Sequence, residues 1–150
     1  TIGISRSGRT APSFDQVSPV DRLADRVQGA RWLVLAAPLT SLTRGLVDAT
    51  VLGRCRDTVV INVARGGLLD TAALLDALRA GTVTGAVLDV FDTEPLPSDS
   101  PLWRADGVVV TPHVAGVTHV EEAGEAFLDA LAKLESGRRP SSAVDPTRGY

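Results

Sequence analysis

Arg65, Glu94 and His113 lie in the stretches INVARGG, DVFDTEP and TPHVAG, and each follows a short apolar run rich in β-branched residues. Such runs read as strands, so each residue falls where a strand of an open α/β sheet gives way to a loop. That edge is where these sheets bind ligands. A guanidinium there can grip a carboxylate through two parallel hydrogen bonds, which a point charge cannot do. An imidazole beside it can give a proton to a carbonyl oxygen or take one from a hydroxyl. A carboxylate on the far ring nitrogen would fix the tautomer and favour the charged ring. Taken singly, each residue also has a plainer reading: a surface arginine paired with an acid, a solvated loop carboxylate, a histidine ending a strand. His119 keeps that plainer reading, at the start of a helix.

The elements that must position these groups alternate between β-branched runs and helical stretches, the pattern of βαβ units and a parallel sheet. Strands are expected at 1–5, 32–36, 58–63, 84–89 and 107–111, and helices near 20–29, 43–54, 70–80 and 118–136. The helix over 70–80 is the best specified. Asp70 can cap its first amides, Leu74, Leu75 and Leu78 line one face, and Gly81 permits a left-handed stop. The strand runs are apolar throughout rather than alternating, so helices are expected on both faces. In the last helix Val120, Ala123, Phe127, Leu131 and Leu134 form an apolar stripe, expected to lie on the sheet. Gly66 and Gly67, without side chains, are expected to leave the backbone open to a ligand.

The 150 residues are 44% hydrophobic and 22% charged, with a net charge of −3. That is one ordinary domain on size. The mildly acidic balance gives no support for a nucleic-acid partner, which normally needs a basic face. No apolar run is long enough to span a bilayer, so no membrane partner is expected. The single Cys55 cannot form an intramolecular disulfide or a paired metal site and reads as packing, which fits a reduced, cytoplasmic setting. No metal is called for, because Arg65 and His113 already supply positive charge.

The stretches LAAPLTSLTRGLVD (35–48), INVARGGLLDTAALLDAL (61–78), GAVLDVFDTEPLP (85–97), SPLW (100–103) and TPHVAG (111–116) together resemble the C-terminal half of the D-isomer-specific 2-hydroxyacid dehydrogenases. This family includes the phosphoglycerate, glyoxylate/hydroxypyruvate and D-lactate dehydrogenases. The resemblance covers nearly the whole chain. It implies a Rossmann-type, doubly wound parallel sheet and hydride exchange between NADP or NAD and a D-2-hydroxy acid or its 2-oxo acid. It also implies a catalytic set of Arg65, Glu94 and His113, and association into a homodimer. A dinucleotide-sensing corepressor on the same fold is the alternative.

The resemblance also implies cofactor contacts at Ser5, Arg6, Ser7, Ala36, Ala37, Pro38, Ala64, Arg65, Asp89, His113 and Gly116. Asp89 and the backbone carbonyl of Ala64 would meet the nicotinamide carboxamide, Ala36–Pro38 would lie beside the adenosine, and Gly116 would give clearance near the nicotinamide. Asp92 is read as shaping its loop and Trp103 as packing a corner. Where NAD enzymes carry an acid at the end of the second strand, this chain has Ser5-Arg6-Ser7 with Arg9 close behind. Cationic and hydroxyl donors suit the added phosphate of NADP, so NADP is favoured.

One departure stands out. The family's G-x-G-x-x-G turn and the strand before it have no counterpart here. Residues 1–137 therefore read as a partial dinucleotide-binding domain. Residues 138–150 read as an extended segment returning toward a substrate domain, with no catalytic part for Tyr150. The expectation is that further residues precede Thr1, because the absent strand is central to the sheet.

Overall fold

Six parallel strands in two sheets carry the fold in a computed structural model that describes residues 1–146. In the smaller sheet β1 (Ile2–Ser5) pairs with β2 (Gln16–Pro19). In the larger one β3 (Trp32–Leu35), β4 (Thr58–Asn62), β5 (Val83–Leu88) and β6 (Val108–Val110) lie side by side in chain order. A Rossmann-type order would set one more strand between β1 and β3. None of the described residues occupies that place, and the sheet divides there.

Contacts group the chain into two compact units, Thr1–His113 and a second beginning at Val114. The first holds all six strands and one hydrophobic core, in which Leu23, Val27, Leu35, Val47, Leu52, Val60, Leu68, Leu74, Val83 and Leu88 are buried together. The second holds α4 (Val120–Glu135), which matches the expected helix within two residues. None of the residues of α4 is buried, so its apolar stripe is not covered as expected. Residues 138–146 form no helix or strand. Tyr150 lies outside the described residues.

Helix α3 (Thr71–Ala80) forms as its caps dictate. Asp70 accepts a hydrogen bond from the Ala73 amide at 3.0 Å, and Gly81 ends the helix with φ at 73°. Elsewhere the structure corrects the reading. Strand β2 was not expected, since QVSP carries two polar residues and a proline. It is an edge strand whose proline closes it, a position where the missing N–H costs nothing. The helix expected over 20–29 contracts to a 3₁₀ turn at Val20–Arg22 followed by α1 (Leu23–Arg26).

The helix expected over 43–54 contracts to α2 (Ala49–Leu52), capped by Asp48. Gly45 takes a positive φ of 64° ahead of it, and the backbone there bonds outward instead of along a helix. The Gly45 amide donates to the Gly67 carbonyl, the Val47 amide to Leu68, and the Asp70 amide to Val47. This extended stitching braces the segment that follows Arg65.

The larger sheet is also covered less fully than expected. On β4, Thr58, Val60 and Asn62 are buried while Val59 and Ile61 are only half-buried. On the latter face Trp32, Val34 and Val109 remain 56, 55 and 54% exposed. Cys55 is a buried free thiol, and burial pushes its pKa up. It packs the core as expected.

Candidate active site

The candidate residues collect at the carboxyl ends of β4, β5 and β6. His113 follows β6 through Thr111 and Pro112, and its backbone is held back onto β5. Its amide donates to the Asp89 carbonyl at 2.9 Å, and its φ of 56° lies in the left-handed region. A non-glycine residue there pays a local conformational cost, and such residues concentrate at functional positions.

Its ring meets Glu94. Nδ1 of His113 and Oε2 of Glu94 are 2.7 Å apart, with both side chains partly exposed. The other carboxylate oxygen, Oε1, accepts the Phe91 amide at 2.9 Å. Glu94 is thus pinned at both oxygens, and Nε2 is the ring nitrogen outside the pair. The His113 hydrogen bond, with the Phe91 amide second, holds the Glu94 carboxyl below the usual carboxylate range. The charge of Arg65 acts in the same direction. Of the influences on Glu94, that of the guanidinium is the smallest.

Arg65 stands at the amino end of a 3₁₀ turn, Gly66–Leu68, that leads from β4 toward α3. Its Nη1 donates to the carbonyl of Ala64 at 2.6 Å. Asn62, 1% exposed at the last position of β4, holds this corner from beneath. Its Nδ2 donates to the Arg65 carbonyl at 3.0 Å, and its Oδ1 accepts the Ala64 amide at 3.1 Å.

Gly66 has a different purpose from the one expected. A Cβ built on it would lie 2.0 Å from the Phe91 carbonyl carbon and 2.3 Å from the Asp92 nitrogen. The missing side chain admits the Phe91–Asp92 peptide, not a ligand. The loop bearing Arg65 and the loop bearing Glu94 thereby touch backbone to backbone. Gly67 is likewise hemmed in by Arg44, Leu39 and Asp92. Asp92, with Arg44, Asp70 and Thr71, lines an open cavity of about 390 Å³.

Asp89 is 1% exposed just beyond β5, and the Thr111 hydroxyl donates to its Oδ1. Ala36, Ala37 and Pro38 follow β3, where the Pro38 carbonyl accepts the Thr43 hydroxyl at 2.7 Å. Ser5, Arg6 and Ser7 are exposed where β1 ends, with Ser5 Oγ accepting the Gly8 amide at 3.1 Å. That leaves the Ser5 hydroxyl proton to donate. Gly116 belongs to the second unit, where nothing lies within 4 Å of a Cβ built on it. Trp103 is 52% exposed, its indole N–H bound to the Pro97 carbonyl at 2.8 Å. The hydrogen bond ties the loop, but the ring is not packed away as expected.

Asn62 and Thr111 are contributors that sequence reasoning missed, and Gly66 is one whose role it misread. For Asn62 a signal existed: a polar residue inside the otherwise apolar run VVINV. For Gly66 and Thr111 the partner lies on another strand's loop, which spacing within one motif does not disclose.

Residues 1–115 match the family model for the D-isomer specific 2-hydroxyacid dehydrogenase NAD binding domain. The chain belongs to that family. Among relatives of these dehydrogenases, glyoxylate/hydroxypyruvate reductase A of Klebsiella pneumoniae subsp. pneumoniae is 40% identical over 147 residues, covering 97% of this chain and 47% of its own length. The chain thus spans about half the length of the curated relatives it matches. A D-isomer specific 2-hydroxyacid dehydrogenase from Xanthobacter autotrophicus Py2, solved with NADPH and MES, superposes with a TM-score of 0.88 at 40% identity. That match covers 99% of this chain and 62% of the other. An NADPH-dependent glyoxylate/hydroxypyruvate reductase from Sinorhizobium meliloti, solved with NADP and sulfate, gives 0.90 at 35% identity, over 99% of this chain and 49% of that one. The Rossmann-like parallel α/β architecture expected from the motifs is therefore that of the family.

Proposed function

We propose that this protein interconverts a small 2-oxo acid and the corresponding D-2-hydroxy acid, using NADPH in preference to NADH. The observation that carries the reading is the Glu94–His113 pair, 2.7 Å apart, with Arg65 on the loop that follows the neighbouring strand β4. The donor set fits a nicotinamide dinucleotide. Ser5, Arg6, Ser7 and Arg9 offer hydroxyl and cationic donors suited to an added ribose phosphate. Ala36–Pro38 would border the adenosine, the Ala64 carbonyl and Asp89 would meet the carboxamide, and Arg65, His113 and Gly116 would border the nicotinamide. For Asp89 this requires its buried carboxylate, whose Oδ1 accepts the Thr111 hydroxyl, to accept the carboxamide as well.

A bound nicotinamide supplies the hydride that converts the carbonyl carbon to an alcohol carbon. Arg65 turns from the Ala64 carbonyl to hold the substrate carboxylate bidentately, which fixes the carbonyl at one distance from His113. Protonated His113 donates from Nε2 to the carbonyl oxygen as negative charge develops there. In the oxidative direction the neutral ring takes the hydroxyl proton back. Glu94 keeps Nδ1 protonated and the ring in plane. Association into a homodimer belongs to the same proposal and is measurable by sedimentation.

The test follows nicotinamide absorbance with glyoxylate, hydroxypyruvate and pyruvate, for the parent protein and for His113→Ala. Turnover that falls by roughly 10²–10⁴-fold in the variant supports the reading, the usual contribution of a positioned acid. Parent-like turnover in the variant removes His113 from the mechanism. No turnover with any 2-oxo acid, alongside tight cofactor binding, points instead to a cofactor-sensing protein.

A further inference from the structure

The geometry points to Asn62 as a positioning residue that sets where Arg65 and the Ala64 carbonyl face, an inference that rests on the proposed reductase chemistry. Asn62 is the last residue of β4, buried on the same face as Thr58 and Val60. A side chain needed only for packing there would be apolar like Val60, because burying an amide costs free energy unless its donors and acceptors are used. Asn62 uses both ends of its amide on one short stretch. Oδ1 accepts the Ala64 N–H at 3.1 Å, and Nδ2 donates to the Arg65 carbonyl at 3.0 Å. The donors decide which end is oxygen and which is nitrogen.

Peptide planarity turns these two bonds into control over the groups between them. The Ala64 N–H fixes the Val63–Ala64 plane, and the Arg65 carbonyl fixes the Arg65–Gly66 plane. The Ala64–Arg65 peptide is held between two fixed neighbours. That peptide carries the carbonyl onto which Arg65 Nη1 now folds, and its far end carries the arginine side chain. The backbone of Asn62 is tied as well, its carbonyl accepting the Asp89 amide at 3.0 Å. One residue therefore joins the ends of β4 and β5 and aims the anion clamp. The Glu94–His113 pair makes no hydrogen bond to the Asn62 side chain; Glu94 is held by the Phe91 amide.

Two variants of the protein expressed from its complete gene test this. Asn62→Asp keeps the acceptor for Ala64 but opposes the Arg65 carbonyl with oxygen, and Asn62→Leu removes both bonds. The expected result is a rise of roughly tenfold or more in KM for glyoxylate, on the scale that a misplaced binding group costs. The pH dependence of kcat/KM should keep the parent's shape, because neither variant removes a hydrogen bond of Glu94 or His113. A second readout needs no turnover: phenylglyoxal labelling of Arg65, resolved by peptide mass against Arg79. Arg79, an exposed residue of the last turn of α3 paired with Asp76, serves as internal reference. Arg65 should label several-fold faster relative to Arg79 in both variants. An inactive parent would defeat the reductase reading, and the labelling ratio would still decide the role of Asn62. A lowered melting temperature with KM and labelling ratio unchanged would overturn the proposal. So would failure of both variants to fold, since either result makes Asn62 a stabilising residue alone.

Discussion

Gly66→Ala isolates the contact between the two loops of the site. The added methyl would sit 2.0 Å from the Phe91 carbonyl carbon and 2.4 Å from its oxygen, both backbone atoms with no rotamer to move. Reaching even 3.0 Å, the lower limit of real contacts, requires the loops to part by about 1 Å. Arg65 lies immediately before Gly66, and Glu94 accepts the amide of the displaced Phe91. The shift therefore transmits directly to the spacing of clamp and acid. A misplacement of about 1 Å costs on the order of a hundredfold in rate, or about 2.7 kcal/mol of barrier. Overpacking should also cost about 1–3 kcal/mol of stability. The assay is kcat/KM for glyoxylate with a thermal melt on the same sample. A variant within twofold of the parent in rate, melting at the parent temperature, would refute the coupling of the two loops through Gly66.

Arg65→Lys keeps the charge but not the planar fork, so KM for the 2-oxo acid should rise roughly ten- to a hundredfold with kcat changed less; an unchanged KM would argue against bidentate recognition. Glu94→Gln removes the carboxylate held against His113 Nδ1, so kcat for reduction should fall while KM for NADPH stays near the parent value. Because its folded-state pKa is lowered, Glu94 contributes stability that is present above the ordinary carboxylate range and is lost as pH falls through the lowered value. Thermal melts of parent and Glu94→Gln should thus differ at neutral pH and converge in strong acid. Arg6→Ala should lower the ratio of kcat/KM for NADPH over NADH, and a ratio unmoved by the change would exclude Arg6 from cofactor choice.

The strands and the well-capped helix were legible because their signals are local. Asp70 and Gly81 mark the ends of α3 in the sequence alone, and TVVINV and TGAVLD read as strands by composition. The Glu94–His113 pair was legible because each member follows such a strand. What the sequence concealed depends on partners distant along the chain. Gly45 breaks the expected helix because its amide finds the Gly67 carbonyl, and β2 exists because Ile2–Ser5 offers it a ladder. The open face around Trp32 and Val34 could not be read from apolar runs, which report only that burial is favourable and not what supplies it. Gly66 was read as room for a ligand because nothing near it in sequence names Phe91 as the group that fills the space.

The central claim is that Glu94 acts on the chemistry through His113. A double-mutant cycle on kcat/KM for glyoxylate with Glu94→Gln and His113→Ala measures this directly. The account predicts that Glu94→Gln slows the parent by tenfold or more yet changes almost nothing once His113 is alanine. Equal losses on both backgrounds would show that the two side chains work independently, and would contradict it.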